Sequence, residues 1–257
     1  MNYIIEPPLI SIITATYNSS DFILNTYQSI SRQTYSNWEW LVTDDCSDDN
    51  TFDLLCDIMS NDSRVRVFRN LSNSGAAVSR NKSLDNASGS YIAFVDSDDI
   101  WLPTKLSEQL AFMQDNNEVF TFTGYSLINR ASQDLNITVD TTNKGRFSYK
   151  DMLAKKATLG CSTVMLASSL VVSKRMPLIR TGQDYAYWLS ILRDGLEAVL
   201  IPKPMTKYRV HPGSISRNKL KKAKRQFQIY RNIENLNLLM CFYYFSFYAL
   251  RAVFRRK

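Results

Sequence analysis

The stretch that decides the fold is Tyr91-Ile92-Ala93-Phe94-Val95-Asp96-Ser97-Asp98-Asp99. Its first five residues are uncharged and apolar, as in a buried β-strand, and three carboxylates follow within four positions. Parallel strands of an α/β sheet end at the crevice where ligands bind, so we expect these acids there. Asp96 and Asp98 would point to one side, where hard oxygen ligands suit Mg²⁺ or Mn²⁺ holding a diphosphate. The alternative is a polar loop with a helix N-cap, since Pro103 opens a helix just after.

Outward from this stretch, short apolar strands alternate with helices. The pattern predicts strands at residues 10–16, 38–43, 65–68, 91–95, 119–128, 161–166, 198–201 and 205–210. It predicts helices at about 21–32, 50–60, 75–87, 102–116, 185–193 and 217–236, with Asp21 as the cap of the first. Residues 129–148 are expected to form a loop or a weak hairpin. The alternation implies right-handed βαβ units, and therefore an α/β, Rossmann-like, mostly parallel sheet flanked by helices.

The composition of the 257 residues is ordinary for a globular protein, and no clean linker interrupts the chain. We therefore expect one domain with two functional halves. Residues 1–8 carry an acid and no apolar core, so no secretory signal peptide is expected. Four cysteines lack the spacing of a metal site, and we expect them as reduced thiols of a cytoplasmic protein: Cys46, Cys56, Cys161 and Cys241.

The net charge of +7 is unevenly distributed along the chain. From Ile201 to the end there are 14 Lys and Arg residues and a single acid, Glu234, which leaves 17 bases and 23 acids in the preceding part. A basic tail of this kind indicates an anionic surface, either membrane lipid or nucleic acid. A solvated helix face would explain the same charges.

Residues 238–250 of this tail are apolar and rich in Tyr, and the basic residues Arg251, Arg255, Arg256 and Lys257 follow them. The run is short for a membrane-spanning helix, and its tyrosines favour the headgroup boundary. We therefore expect a helix that lies at the lipid interface with basic anchors. The alternative is a helix that is docked on the core or paired with a second copy.

Seven blocks of the sequence occur in an order that a known family shares. They are residues 11–18 (SIITATYN), 29–35 (SISRQTY), 42–51 (VTDDCSDDNT), 73–81 (NSGAAVSRN), 96–98 (DSD), 182–189 (GQDYAYWL) and 208–216 (YRVHPGSIS). Together these blocks resemble the family 2 glycosyltransferases of the GT-A fold, over about residues 10–216. With the basic C-terminal helix, the chain is most similar to bacterial teichuronic-acid, capsule and lipopolysaccharide sugar transferases.

The resemblance implies an inverting glycosyltransferase that moves a sugar from a nucleotide diphosphate to a lipid-linked or growing cell-surface polysaccharide. The expected donor is a UDP-hexose or a UDP-N-acetylhexosamine, the expected cofactor is Mn²⁺ or Mg²⁺, and no nucleic-acid partner is expected. Residues 1–216 would form the GT-A domain, with a nucleotide-binding half at about 1–100 and an acceptor half at about 101–216. Residues 217–257 would be a helical tail that attaches the protein to the anionic inner face of the cell membrane.

The matched positions imply roles for individual residues. Asp184 would be the general base, because an inverting transfer needs one group that deprotonates the acceptor hydroxyl. Gln183 stands where many members have Glu, but the acid after it is kept. Asp98 would be the main metal ligand, with Asp96 and His211 beside it. The expected donor-binding residues are Ala15, Thr16, Tyr17, Asp44, Asp45, Arg80, Asp96 and Ser97. Ala15 replaces the usual Pro of the family, which alters loop stiffness rather than chemistry.

Each of these side chains also has a structural explanation. Asp184 could cap a helix, and Asp44 and Asp45 could belong to a polar turn instead of accepting a hydrogen bond from uracil. Arg80 could form a surface ion pair, and Tyr17 could lie at the rim of the core. The single histidine of the chain could likewise be structural.

Other classes of protein compete with this interpretation. A sugar-nucleotide pyrophosphorylase also binds a metal through carboxylates on a parallel sheet, but it needs a Gly-rich phosphate loop with Arg and Lys, which residues 14–20 lack. A non-enzymatic binder of lipid or nucleic acid would use the basic tail and leave Asp96, Asp98 and Asp184 unexplained. A dinucleotide oxidoreductase is disfavoured, because no Gly-x-Gly-x-x-Gly follows the first strand.

Overall fold

The computed structural model describes residues 6–210 and 219–254, and in this part ten strands form one mixed sheet. The strands are β1 (Ile10–Thr16), β2 (Trp38–Asp44), β3 (Val65–Arg69), β4 (Tyr91–Phe94), β5 (Ile100–Trp101), β6 (Phe120–Ile128), β7 (Asp134–Val139), β8 (Gly145–Phe147), β9 (Val164–Ala167) and β10 (Ala198–Arg209).

Helices cover both faces of this sheet. They are α1 (Ile23–Ser31), α2 (Thr51–Asn61), α3 (Ala76–Asp85), α4 (Lys105–Asp115), α5 (Tyr149–Leu153), α6 (Gln183–Leu192), α7 (Lys219–Gln228) and α8 (Leu238–Phe254). Short 3₁₀ turns at Cys161–Thr163 and Ser168–Leu170 flank β9, and a π-helical turn, Ile229–Ile233, continues α7.

The strand order is β3-β2-β1-β4-β9-β6-β10-β5, with β7 paired to β6 and β8 paired to β10. The pairs β1–β2, β2–β3, β1–β4 and β6–β10 are parallel. β9 is antiparallel to both β4 and β6, so the parallel groups on its two sides run in the same direction. The prediction of an α/β, mostly parallel sheet is confirmed, and the carboxyl ends of β1, β2 and β4 meet at one edge.

The central strands are buried on both faces, which explains their continuous apolar runs. Successive side chains of a strand point to opposite faces. Ile13 and Phe94 therefore pack in the core that contains α3, α5 and α6, whereas Ile12 and Ala93 pack in the core that contains α1, α2 and α4. In the first core, the Trp188 ring packs edge-on against Phe94, with ring centroids 5.2 Å apart.

Two local predictions are wrong. Helix α1 begins at Ile23 with Phe22 at its N-cap position and no side-chain cap, so Asp21 does not cap it; Asp21 forms an ion pair with Arg130 instead. The two strands expected between residues 198 and 210 are one strand, β10, whose pairing with β6 continues through register shifts around Pro204. In both cases a tertiary partner outweighs the local preference.

Tertiary pairing also adds strands that the sequence pattern hides. Residues 129–148 contain β7, which pairs with β6, and β8, which pairs with β10. The helix expected at 102–116 begins at Lys105, because Ile100–Trp101 pair with β10 as β5 and the Leu102 N–H still donates to the Met205 carbonyl of β10. The cysteines are free thiols, as predicted.

The C-terminal segment contributes to the same core as α6. Ile229, Tyr230 and Tyr244 are buried there, so the docking alternative accounts for one side of α8. On the other side of α8, Leu239 and Phe242 are 82% and 62% exposed. No helix within residues 6–210 and 219–254 has the length and apolar character that crossing a membrane requires. The predicted domain limit at residue 216 lies outside the described residues.

Two neighbouring tyrosines of α8 test this packing. Tyr244 is 5% exposed and Tyr243 is 55% exposed. We expect Tyr244→Ala to lower the free energy of unfolding by about 3 kcal/mol, because truncating a buried aromatic side chain leaves a cavity. The matched variant Tyr243→Ala should stay within about 0.5 kcal/mol of the native protein. Chemical denaturation measures both values, and equal losses would show that α8 does not pack as described.

Candidate active site

The crevice lies where β1, β2 and β4 end, and the loops around it are bonded to one another. The Asn18 N–H donates to Ser47 Oγ (2.9 Å), and the Asp48 N–H donates to Asn18 Oδ1 (2.9 Å). These bonds join the loop after β1 to the loop after β2. The hydroxyls of Ser19 and Ser97, 2.9 Å apart, join the loop after β1 to the acidic turn after β4. The crevice is therefore held in shape from three strands.

The acidic turn after β4 is fixed by a serine from a distant part of the chain. The Asp96 N–H donates to Ser162 Oγ (3.0 Å), and Ser162 Oγ donates to Asp99 Oδ2 (2.5 Å). Asp99 Oδ1 accepts from the Arg209 N–H (2.8 Å), and Arg209 Nε donates to the Asp98 carbonyl (2.7 Å). Asp99 is thus the structural acid of the turn, and it leaves Asp96 and Asp98 on the partly exposed side.

Burial raises the pKa of Asp99 well above its ordinary value, and the nearby Asp98 and Asp96 add to the rise. A buried carboxyl group of this kind needs hydrogen-bond donors, and Ser162 and Arg209 supply them. Our sequence predictions did not include these three supporting residues. Asp99 directly follows the block at 96–98, and Arg209 lies within the block at 208–216. Ser162 lies in none of the seven blocks.

Arg80, in α3, is the buried cation of the site. Its Nη2 donates to Asp96 Oδ1 at 2.5 Å. Its Nε and Nη1 are buried and have no hydrogen-bond partner among the described residues. Burial works to lower the pKa of Arg80, but the neighbouring Cys161, Asp96 and Asp184 raise it, so the guanidinium stays charged. The ion pair considered from the sequence is therefore present, with a buried arginine and a partly exposed Asp96. Unpaired donors on a buried cation suit an anionic ligand.

Asp184 lies in the first turn of α6. The charges of Arg80 and Asp96 both affect its ionisation. The N-cap position of α6 is Gly182, with a φ of +73°, so Asp184 is not the cap of this helix. Burial raises the pKa of Asp184 above its ordinary value, Arg80 opposes the rise, and Asp96 adds to it. The fold thus brings a carboxyl group with a raised pKa from the second half of the chain to the acidic turn. Such a group is suited to accept a proton.

Asp44 and Asp45 are buried and bonded to protein groups. Asp44 accepts the N–H of Ser47 at 3.0 Å, and Asp45 accepts the N–H groups of Ser74 and Gly75 at 2.9 and 2.7 Å. These bonds favour the polar-turn explanation for both carboxylates. Asp45 fixes the loop that leads into α3, where Gly75 adopts a φ of +95°. Asp45 therefore helps to place the helix that carries Arg80.

The other expected donor-binding residues lie at the end of β1 and on the acidic turn. Ala15 is half-buried, and the buried Thr16 hydroxyl has no partner among the described residues. Tyr17 is exposed at the mouth of the crevice, where its hydroxyl donates to Asp48 Oδ2 (3.2 Å). The structure brings these residues together with Ser97 at the same edge of the sheet.

Two expected metal ligands, Asp96 and Asp98, lie on this acidic turn, and the third, His211, lies outside the described residues. Among residues 6–210 and 219–254, no group of three His, Cys, Asp or Glu side chains forms a metal site by itself. The two partly exposed carboxylates are hard oxygen ligands. Mg²⁺ and similar cations commonly bind through one or two carboxylates together with substrate phosphates, so the residues present fit such an ion.

A mostly parallel sheet that ends in an Asp-x-Asp turn, with a buried cation and a second carboxyl group beside it, is typical of the GT-A class of glycosyltransferases. The model of glycosyl transferase family 2 matches residues 11–174. The chain belongs to this family and is a glycosyltransferase. Membership decides between the classes that the sequence left open, in favour of a sugar-transferring enzyme.

Two bacterial relatives are similar to this chain over nearly its whole length. A protein of Bacillus subtilis (strain 168), provisionally named as the teichuronic acid biosynthesis glycosyltransferase TuaG, is 41% identical over 97% of this chain and 98% of its own length. WfaP of Escherichia coli, a UDP-Glc:alpha-D-GlcNAc-diphosphoundecaprenol beta-1,3-glucosyltransferase, is 38% identical over 94% of each chain.

Solved structures of two other proteins share the fold. Residues 1–349 of TarS from S. aureus, in complex with UDP-GlcNAc, match with a TM-score of 0.73 at 18% identity, over 95% of this chain and 73% of that one. The mannosyltransferase PcManGT from Pyrobaculum calidifontis, in complex with GDP-Man and Mn²⁺, matches with a TM-score of 0.68 at 16% identity, over 90% and 65%. At these identities the likeness concerns the fold alone.

The support of the acidic turn by Ser162 is testable. We expect Ser162→Ala to lower the free energy of unfolding by about 1–3 kcal/mol, because the Asp96 N–H and the Asp99 carboxyl group each lose a buried partner. Transferase turnover should fall with it, since the turn that carries Asp98 loosens. Denaturation and turnover assays measure the two effects. The control is Ser246→Ala on α8, whose hydroxyl donates to the Tyr243 carbonyl of its own helix. An equal effect there would contradict the role of Ser162.

Proposed function

We propose that this glycosyltransferase moves a sugar, with inversion, from a UDP-sugar to an acceptor carried on a lipid diphosphate. The observation that carries the proposal is the environment of Arg80. A buried cation with two unpaired donors lies beside Asp96, at the end of β4, and interacts electrostatically with Asp184, at the start of α6. An anion-binding group and a proton acceptor in one crevice are what sugar transfer from a diphosphate needs.

In the proposed reaction, Asp184 accepts the proton of the acceptor hydroxyl while the hydroxyl oxygen attacks the anomeric carbon of the donor sugar. The bond from that carbon to the diphosphate oxygen breaks on the opposite face, so the configuration inverts. UDP leaves with the electron pair of the broken bond. Arg80 stabilises the charge that develops on the diphosphate, because its unpaired N–H groups are in place before the reaction begins.

We propose that Asp98 and Asp96 hold Mn²⁺ or Mg²⁺, with His211 as a further contact. When bound, the ion neutralises negative charge on the diphosphate. The Mn²⁺ in the mannosyltransferase of similar fold supports this proposal. The role of the chain itself is to keep the two carboxylates on one side of the turn, and the bonds of Asp99 do this.

The uridine is proposed to bind at the end of β1. Ala15 and Ser97 would leave space for it, the ring of Tyr17 would pack against the base, and the unpaired Thr16 hydroxyl would bond to it. Asp44 and Asp45 would act through the loops that they hold, since their carboxylates already have protein partners. The donors of the relatives support UDP: WfaP uses UDP-Glc, and TarS binds UDP-GlcNAc.

The acceptor half is proposed to work at the cytoplasmic face of the membrane, with the protein attached peripherally. Helix α7 is strongly basic, and the side of α8 that carries Leu239 and Phe242 is apolar and exposed. Such a pair of surfaces binds anionic lipid through charge and apolar insertion together. The diphosphoundecaprenol acceptor of WfaP supports a lipid-linked substrate. The division into residues 1–100 for the donor, 101–216 for the acceptor and 217–257 as tail stays a prediction.

The role of Asp184 is tested by its isosteric variant. We expect Asp184→Asn to lower kcat by at least about 10²-fold with little change in UDP affinity, because the base acts on the acceptor and not on the nucleotide. In the native enzyme, kcat/KM should fall as the pH drops through the pKa of Asp184. This acid limb should lie above the ordinary range of aspartate, since burial raises that pKa.

The assay uses UDP-glucose and a GlcNAc-diphosphate-lipid acceptor, with UDP affinity measured by calorimetry. The control is Asp194→Asn, an exposed acid just beyond α6 that pairs with Lys174; it should keep full turnover. Near-native turnover of Asp184→Asn would exclude this residue as the base.

Membrane attachment is tested on the exposed side of α8. We expect the native protein to sediment with phosphatidylglycerol vesicles and less with neutral ones. The double variant Leu239→Ser, Phe242→Ser should bind weakly, because it removes the apolar insertion while keeping every charge. A control double variant, Val172→Ser, Leu178→Ser, changes comparably exposed residues outside the tail and should bind like the native protein. A native protein that stays in the supernatant would indicate that α8 binds a protein partner instead.

A further inference from the structure

The C-terminal segment touches the turn that carries the proposed base. Gly182, two residues before Asp184, has a φ of +73°, and a Cβ atom placed on it would lie 3.0 Å from Ile229 Cδ1 and 3.7 Å from Arg225 Cγ. The side chains of Ile229 and Arg225 therefore leave little room beside position 182. Arg225 Nε also donates to Thr181 Oγ1 at 3.1 Å. The turn before α6 thus rests on α7 and the π-helical turn.

The same segment also holds the other end of α6. Glu234, the single acid among the residues from 201 onward, is fully buried, and its Oε2 accepts from Arg193 Nη2 at 2.7 Å and from the Tyr149 hydroxyl at 2.6 Å. Arg193 directly follows α6, and Tyr149 begins α5. The Tyr230 hydroxyl donates to the Leu153 carbonyl at 2.6 Å, at the end of α5. Helix α6 is therefore held at both ends by one C-terminal element.

The π-helical turn allows this C-terminal element to contact both ends of α6. In the π-helical turn the Glu234 N–H bonds to the Ile229 carbonyl (2.9 Å), five residues back, which inserts an extra residue into the helical turn. Such turns re-aim side chains and are frequent at functional sites. Here the turn directs Ile229 toward Gly182 while Glu234 reaches the far end of α6. Helix α8 adds a further contact through Arg251 Nη2, which donates to the Lys156 carbonyl at 2.8 Å.

We propose that two side chains of the C-terminal segment, Ile229 and Arg225, act as positioning residues for Asp184. The inference rests on the proposed role of Asp184 as the base. A general base must lie within hydrogen-bond reach of the proton that it removes, and a displacement of about 1 Å costs about 10²-fold in rate. The tail thus contributes two contacts that hold the catalytic turn, in addition to its proposed role at a lipid surface.

The test is Ile229→Ala, which removes the contact under Gly182. We expect kcat with acceptor to fall at least about tenfold while the KM for UDP-sugar stays unchanged, because the donor residues lie on the other half of the chain. The acid limb of kcat/KM should also move to lower pH. Burial raises the pKa of Asp184, so a looser turn that admits water lets the pKa fall. The control is Ile233→Ala, which makes the same substitution in the same π-helical turn. The Ile233 side chain packs on the core and not against Gly182.

The charged groups that act on Asp184 remain in this variant: Arg80, Asp96 and Lys155. A shift of the acid limb therefore reports the burial of Asp184 and not a lost charge. If Ile229→Ala does not fold, Arg225→Gln is used, which removes one hydrogen bond and one positive charge. The loss of a nearby cation would raise the pKa of Asp184, so an acid limb that moves to lower pH still reports the looser turn. The control for Arg225→Gln is Arg231→Gln, whose side chain donates to the Leu236 carbonyl.

The outcomes separate the two proposals. Active Asp184→Asn would overturn the proposed base itself. Inactive Asp184→Asn, together with a folded Ile229→Ala or Arg225→Gln that keeps native kcat and a native acid limb, would overturn the positioning role alone. A fall in kcat and a shifted limb in the Ile229 or Arg225 variant, absent from its control, supports the inference.

Discussion

The buried guanidinium of Arg80 is the interaction on which the site depends. Asp96 comes from the end of β4 and Asp184 from the start of α6, and the negative charges of the two carboxylates repel each other. A buried cation offsets this repulsion, whereas removing one partner of a buried ion pair costs about 3–5 kcal/mol. Arg80 nevertheless leaves two of its nitrogens unpaired. It therefore both offsets the repulsion and retains donors for an anion.

Much of the surrounding polar structure holds the acidic turn and the helix of Arg80 in place through bonds within the protein. Ser162 and Asp99 hold the acidic turn from below, and Asp45 holds the loop that leads into the helix of Arg80. Buried networks of this kind are rigid only when each member is satisfied, and they are costly when one partner is missing. The geometry of the crevice thus rests on residues that no substrate is expected to touch.

The basic tail has two surfaces, one suited to lipid and one packed on the core of the enzyme. Its charges and the exposed apolar side of α8 suit a lipid surface, while Ile229, Tyr230 and Tyr244 are buried in the core of the enzyme. Because α8 and the segment that contacts Gly182 are consecutive, a lipid surface under α8 would lie in a constant relation to Asp184. A lipid-linked acceptor would then approach the base from a defined direction.

The sequence by itself determined the class of fold and the location of the crevice. A strand that is buried on both faces needs a continuous apolar run, such as residues 91–95. The acids that follow such a run lie at the carboxyl edge of a parallel sheet, where ligands bind. Family membership was readable from local blocks of sequence, and the same blocks predict roles for Asp96, Asp98 and Asp184.

Only the tertiary structure decided which protein groups each polar residue of the crevice bonds to. Asp45 and Asp99 look like their neighbours in sequence, yet backbone N–H groups from distant loops occupy their carboxylates. Ser162, and Ile229 beneath Gly182, become relevant because the chain brings them to the site from 66 residues beyond Asp96 and from the tail. Local pattern reports burial and periodicity, whereas the partner of a polar group is fixed by contacts between residues far apart in the chain.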